Sequence, residues 1–279
     1  NKITNLGKII ANRGAASLFA GSLTHSGSIR ANGLVQDADG TIRLVAIDKA
    51  TVSGSVDVTG EKGGKIEILG DEVIIANGAT IDASGTQQGG EILIGGDQQG
   101  LNPEVKNAIS TTIAETAQVH ADGIHNGNGG RVIVFAENDV HVHGEITARG
   151  GDNDGDGGFI ETSGLKSLDI IQIPDASAPN GQGGDWLIDP YNITISATGP
   201  DANISGSSTP GPPPESFFDS SNVGAVLSTS TIVSALNSGT SVTISTGSGG
   251  TDAGDINLDS PLVINESFLR ADLTLNADN

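Results

Sequence analysis

Three carboxylates at alternate positions, Asp152, Asp154 and Asp156 in the run GGDNDGDGG, come nearest to a spaced set of ligands in this chain. Alternate acids followed by Gly are how the first half of a calcium loop presents hard oxygen ligands around a sharp turn. Such a loop needs a bidentate acid at its twelfth position, and that position holds Ser163. The run reads as a weak extracellular calcium candidate set against an acidic, solvated corner. Four histidines, His120, His125, His141 and His143, are a second metal-ligand signal. His141 and His143 flank Val142, which is inward in the repeat described below, so both rings point outward from one strand. Zinc wants further imidazole, thiolate or carboxylate donors, and the frame around these two offers no Cys and no neighbouring acid. No metal ligand set and no cofactor site is expected.

Catalysis has little to stand on. Polysaccharide cleavage needs paired carboxylates, or carboxylates beside Arg or Lys. The acids here fall mostly at corners such as Asp57 and Asp82, and the strand-associated basic residues are Arg43, Lys65 and Arg131. There is no Ser-His-Asp spacing and no phosphate-cradling loop before a helix, so no catalytic residue is assigned. Asn192, Asn203 and Asn265 each begin an Asn-x-Ser/Thr sequon. In a chain rich in Asn, Ser and Thr such triplets also arise by chance.

The elements that would position these residues repeat. Segments GTIRLVAIDKATVSGSVDVTG from Gly40 and GRVIVFAENDVHVHGEITARG from Gly130 align without a gap. Ile42 falls on Val132, Leu44 on Val134, Ala50 on Val140, Val52 on Val142 and Val56 on Ile146. The stretch from Gly63 to Gly85 fits both after one inserted residue. Gly pairs restart the pattern at Gly63, Gly89, Gly129, Gly157 and Gly183. Repeats of about 20–50 residues mean a solenoid, propeller or array. Runs of three to five alternating residues are too short for propeller blades and suit one coil of a parallel β-helix, each strand lying on its counterpart a coil below. The fold expected is all-β, a right-handed parallel β-helix. An aromatic fraction of 3% asks the core to house few rings, and 41 glycines are expected at corners needing positive φ.

Composition excludes several classes. A formal charge of −21 with 13 basic residues argues against nucleic acid and against anionic lipid. No apolar run reaches the length of a spanning helix, and the aromatic girdles of a membrane barrel are missing, so no membrane insertion is expected. Cys is absent, and Met is absent even at position 1, which reads as a fragment or a processed piece.

Along the chain, residues 1–39 read as one or two degenerate coils, and coils are expected through 196. The stretch Gly96 to Gly123 lengthens one coil, with a turn at Asn102-Pro103, and reads as an excursion from the side of the helix. Trp186 and Tyr191, the only residues of their kind, sit together in GGDWLIDPYNITIS and read as a packing plug at a boundary. Residues 197–221, with PGPPPES, read as a flexible linker. From 222 to 279 one short helix is expected, capped by Ser228 or Ser230 and stopped by Gly239, followed by further strands.

The ordered set NGATIDASG, GGEILIGGDQQG, GGRVIVFAENDVHVHGEITARGG, GGFIETSG and GGDWLIDPYNITI resembles the filamentous-haemagglutinin-type exoproteins of two-partner secretion. The resemblance runs from about residue 7 to the end. It implies a secreted or surface-exposed Gram-negative protein, moved across the outer membrane by a dedicated transporter barrel of the TpsB type. It also implies a role as an adhesin meeting a host-cell or neighbouring-cell receptor or glycan. Haemolysin, toxin-delivery and haem-acquisition roles belong to the same family. The family's Asn-Pro-Asn-Gly type motif is missing, so the piece is expected to begin at or after the end of the secretion domain. The leading expectation is a β-helical shaft of an adhesin. A β-helical polysaccharide-degrading enzyme and a repeat surface binding ice or carbohydrate are the other readings, and the outward positions Arg43, Glu67 and Ile133 form no regular Thr or Asn ladder for the last of these.

Overall fold

In the computed structural model, which describes residues 1–12, 14–32, 40–197, 225–247, 253–264 and 271–278, the alternating runs become strands and every strand pairing is parallel. The chain is a parallel β-helix. Its coils have three faces. On the first, residues 41–45 are followed in register by Lys65–Leu69, Glu91–Ile94, Arg131–Ala136, Phe159–Gly164, Asp185–Ile188, Ser241–Ser245 and Leu273–Asn276. On the second, residues 49–52, Glu72–Ile75, Ser110–Ile113, Asp139–Val142 and Ser167–Ile170 stack in the same way. The third carries Lys8–Ile10, Ser28–Arg30, Ser55–Asp57, Thr80–Asp82, Gln118–His120 and Glu145–Thr147.

Period-2 alternation turns every second side chain into the shared core. Ile42, Ile66, Ile92, Val132, Ile160, Trp186 and Val242 form one such stack, all fully buried. The positions aligned in the sequence repeat are the inward ones: Leu44 and Val134, Ala50 and Val140, and Val52 and Val142 all lie in the core. Trp186 is a core residue rather than a boundary plug. It occupies the Ile/Val stack, and its indole N–H donates to Thr162 Oγ1 at 2.9 Å. Thr162 stands in the inward column otherwise filled by Ile68, Ile94 and Val134, so the one polar side chain there serves the one ring that needs an acceptor.

The glycine pairs have another purpose than the one expected. Among the described glycines positive φ occurs at Gly78, Gly95, Gly100, Gly155, Gly239 and Gly254, and at none of the repeating pairs. The pairs mark where successive coils touch backbone to backbone. A Cβ placed on Gly90 would fall on the carbonyl oxygen of Gly64, and one on Gly130 would fall on that of Gly90. These oxygens are also the acceptors that join the coils, since Glu91 N–H donates to Gly64 at 2.9 Å and Arg131 N–H to Gly90 at 2.8 Å. Only a residue without Cβ permits that approach.

Coil order breaks after Ile193–Ser196. Ala225–Ser228 pairs with it and lies beside Ser167–Ile170, so a later strand is inserted beneath an earlier one. The helix Thr229–Ser238 follows, with Ser228 accepting from Thr231 N–H at 3.0 Å and Gly239 closing it at φ 93°. It turns Ile232, Ala235 and Leu236 into the core. Of the 197–221 run, residues 198–221 lie outside the described residues.

Candidate functional site

The lengthened coil does not project. Its first part folds back over the outward side of the first face. Asp97 caps a single turn at Gln98–Gly100 and also accepts from Asn102 at 2.8 Å and Arg131 at 2.9 Å. Gln99, held at φ 54°, donates its N–H to Glu161 Oε1 at 2.9 Å and its side-chain amide to Asp189 at 2.7 Å. Asn107 ties the segment's far side to the Gly100 carbonyl at 2.9 Å. Beneath it Leu93, Ile133 and Phe135 form a second apolar cluster, with Val105, Phe159 and Leu165 packed against it. Gly96 and Gly100 leave room for the Phe135 ring.

This lid buries a carboxylate. Glu161 is fully covered, and burial pushes its pKa up to about 7, with nearby Asp189 adding to the rise. The N–H of Gln99, the Ser163 hydroxyl and the Arg131 charge oppose the rise without cancelling it. Asp189 is itself raised by burial and by Asp278, against its hydrogen bond from Gln99.

Below the lid the basic residues named from sequence join one ladder across coils. Arg43 pairs with Glu67, Lys65 with Glu67 at 3.2 Å and Glu91 at 2.8 Å, and Arg131 with Glu91 at 2.7 Å and Asp97 at 2.9 Å. Burial opposes the charge of Lys65, but its bonds to Glu91 and Glu67 outweigh that and raise its pKa. Acid and base on neighbouring coils therefore neutralise each other in a partly exposed row, with Glu67 buried at its centre.

On the second face, register sets Asp169 beside His141. Asp169 Oδ2 lies 2.7 Å from His143 Nε2 and 3.6 Å from His141 Nδ1. The two rings meet edge to face with centroids 6.1 Å apart. Burial works against the ionised form of Asp169, yet hydrogen bonds from His141 and His143 hold it well below the usual carboxylate range. Among the described residues this is the one group of three metal-capable side chains whose ligand atoms converge, all within 4.8 Å.

The structure is similar to the crystal structure of the HMW1 secretion domain from Haemophilus influenzae, with a TM-score of 0.59 and 33% sequence identity. The match covers 68% of this chain and 50% of that one. The chain thus spans about half the length of the structure it matches. No family model matches the chain, and no curated protein does.

The match bears on an expectation drawn from the missing motif. The expected start is at or after the end of a secretion domain, whereas the structure these residues resemble is itself such a domain. Asp152, Asp154 and Asp156 are exposed and do not converge. Asp154 accepts from Gly155 N–H at 2.9 Å, Asp156 from Gln182 N–H at 2.8 Å, and at Asp152 the backbone carbonyl accepts from Asn180 at 2.7 Å. They staple a corner. Asn192 Oδ1 accepts from Gly254 and Asp255 N–H at 3.0 and 2.8 Å, while Asn203 and Asn265 lie outside the described residues. His120 bonds Thr147 at 2.8 Å on the third face.

Two features of the site go unannounced by the motifs. The outward Leu93, Ile133 and Phe135 signal a covered face, because apolar residues at both parities of a strand mean burial on both sides. The acid beside His141 and His143 is 28 residues from one and 26 from the other. It becomes visible only when SLDI is laid under DVHV in the repeat.

Proposed function

We propose that this chain is part of a two-partner-secretion exoprotein, and that its β-helix contains part of the region handled by the outer-membrane transporter barrel. The observation that carries this is the 33% identity to the HMW1 secretion domain over a shared β-helical fold. The ordered motifs of the sequence point the same way. The protein is exported and displayed outside a Gram-negative cell, and the exoprotein to which it belongs acts as an adhesin. The acidic surface and the neutralised Arg–Glu–Lys ladder suit a solvated structural shaft.

Each coil offers an edge on which the next can form, so folding outside the cell draws the chain outward. Proline cannot donate to a strand ladder and belongs only at edges or bulges. Ile66→Pro or Val132→Pro, both central in the first face, should cut release into the medium when the chain is expressed with a two-partner transporter. Wild-type chain should appear outside only when the transporter is present. Release of the proline variants at the wild-type level would count against templated folding, and transporter-independent release would overturn the secretion reading.

For adhesion the lid needs point substitutions instead of deletion, because removing Asp97 to Ala117 would uncover Phe135. Leu101, 76% exposed at the lid's crest, is the position to change. Saturable binding of the purified chain to epithelial cells or a glycan panel, weakened by Leu101→Asp, would make the lid a contact. Binding that is unchanged would place adhesion elsewhere.

A further inference from the structure

We propose that His141, His143 and Asp169 bind one zinc ion that clips two successive coils together on the second face. The placement follows from the repeat. In Asp139–Val142, Val140 and Val142 turn inward, which sends His141 outward, and His143 follows two residues on with the same parity. In Ser167–Ile170, Leu168 and Ile170 turn inward and Asp169 outward, directly in register with His141. Stacking alone thus assembles donors from two coils.

The geometry suits a small divalent ion. Zinc bonds of about 2.0–2.1 Å in a tetrahedron set donor atoms roughly 3.3–3.4 Å apart. The two Asp169 Oδ2 to imidazole distances, 2.7 and 3.6 Å, straddle that value. The third distance, between the two imidazole nitrogens, is at most 4.8 Å, so side-chain movements of about 1–1.5 Å close the set. The second carboxylate oxygen, Asp169 Oδ1, is buried without a hydrogen-bond partner, a costly state for an ionised group that a bound cation relieves. Two imidazoles and one carboxylate favour zinc, cobalt, nickel or copper over calcium or magnesium. Three protein ligands leave the fourth position to water. The site can be reached from solvent, since the His143 side chain is 31% exposed while those of His141 and Asp169 are 11% and 13% exposed.

The position gives the ion a structural role. Among the described residues Ser167–Ile170 is the last strand of its hydrogen-bonded column, and Ala225–Ser228 lies beside it without extending that ladder. A bridge from Asp169 to the coil below pins the column where its backbone bonds end.

The test uses the whole chain after chelator treatment, with Zn²⁺ as the probe and Co²⁺ as a spectroscopic substitute. Calorimetry should give one ion per chain, and Co²⁺ should show the visible absorption of a four-coordinate site. At free zinc about 100-fold above Kd, the melting temperature should rise by roughly 5 °C or more. His143→Ala and Asp169→Asn should each weaken zinc binding by more than the 10- to 100-fold, roughly, that loss of an outer-shell partner costs. His125→Ala should leave it unchanged. A readout on the wild type guards against variants that misfold: zinc should slow chemical acylation of His141 and His143 and leave His125 reactive. Absence of zinc binding, or binding indifferent to both substitutions with no protection of the two rings, would overturn the site.

Discussion

Gly130→Val should destabilise the chain by about 3 kcal/mol or more, in the upper range for overpacking of a closed interior. The first atom of any side chain there meets the Gly90 carbonyl oxygen, with Gly89 C at 2.7 Å and Gly90 N at 2.8 Å. None of these is a side chain that can swing away. The coils must separate locally, and separation lengthens the bond from Arg131 N–H to Gly90, now 2.8 Å. A control separates this cause from backbone strain. Gly78 sits at φ +78°, and a methyl group added there would have nothing within 4 Å, so Gly78→Ala should cost only about 1–2 kcal/mol. Urea denaturation with an unchanged slope reads both effects. Equal losses at Gly78 and Gly130 would remove close approach as the reason for the repeated pairs.

The same contrast shows what can be read from the sequence. The repeat frame places Ile42, Val52, Val132 and Val142 inward because period-2 burial is written into residue type along a single strand. The helix at Thr229–Ser238 is equally plain, its start and stop being local side-chain chemistry at Ser228 and Gly239. What stays hidden depends on the vertical neighbour. Gly130 looks like a corner glycine until Gly90 lies under it. His141 and His143 look unsupported until Asp169 is set beside them. Asp97 and Gln99 look like loop residues until their partners, Arg131, Glu161 and Asp189, arrive from 34 to 90 residues away. The insertion of Ala225–Ser228 out of coil order has no signature in strand pattern at all, since a strand's alternation does not record which strand lies beneath it.

Lowering the pH from 8 to 5 should tighten the lid, and Glu161→Gln should abolish most of that response. Glu161 has its pKa raised from 4.5 to about 7 in the folded chain. Between those values the unfolded chain has lost this proton and the folded chain keeps it, so stability falls as pH rises. The contribution is fully present below 4.5 and gone above about 7, and it amounts to about 3 kcal/mol across that window. Asp189, raised by burial as well, adds a term of the same sign. His25 works in the opposite direction. Burial lowers its pKa from 6.5, so the folded chain loses stability as pH drops below that value. The acids with lowered pKa, Asp97 and Asp169, act below 3.8 and stay out of the window. Wild type and Glu161→Gln share His25, and the difference between their pH profiles isolates Glu161. At pH 5 the two should be nearly equal, both presenting a neutral group to Gln99 N–H. At pH 8 the glutamine variant should be more stable by up to about 3 kcal/mol. Hydrogen exchange at Gln99, whose N–H lies 2.9 Å from the carboxylate, should slow in the wild type as pH falls, after correction for the intrinsic rate. Parallel profiles for the two proteins would mean that Glu161 is already ionised under the lid and that the lid's hold on the first face does not depend on its proton.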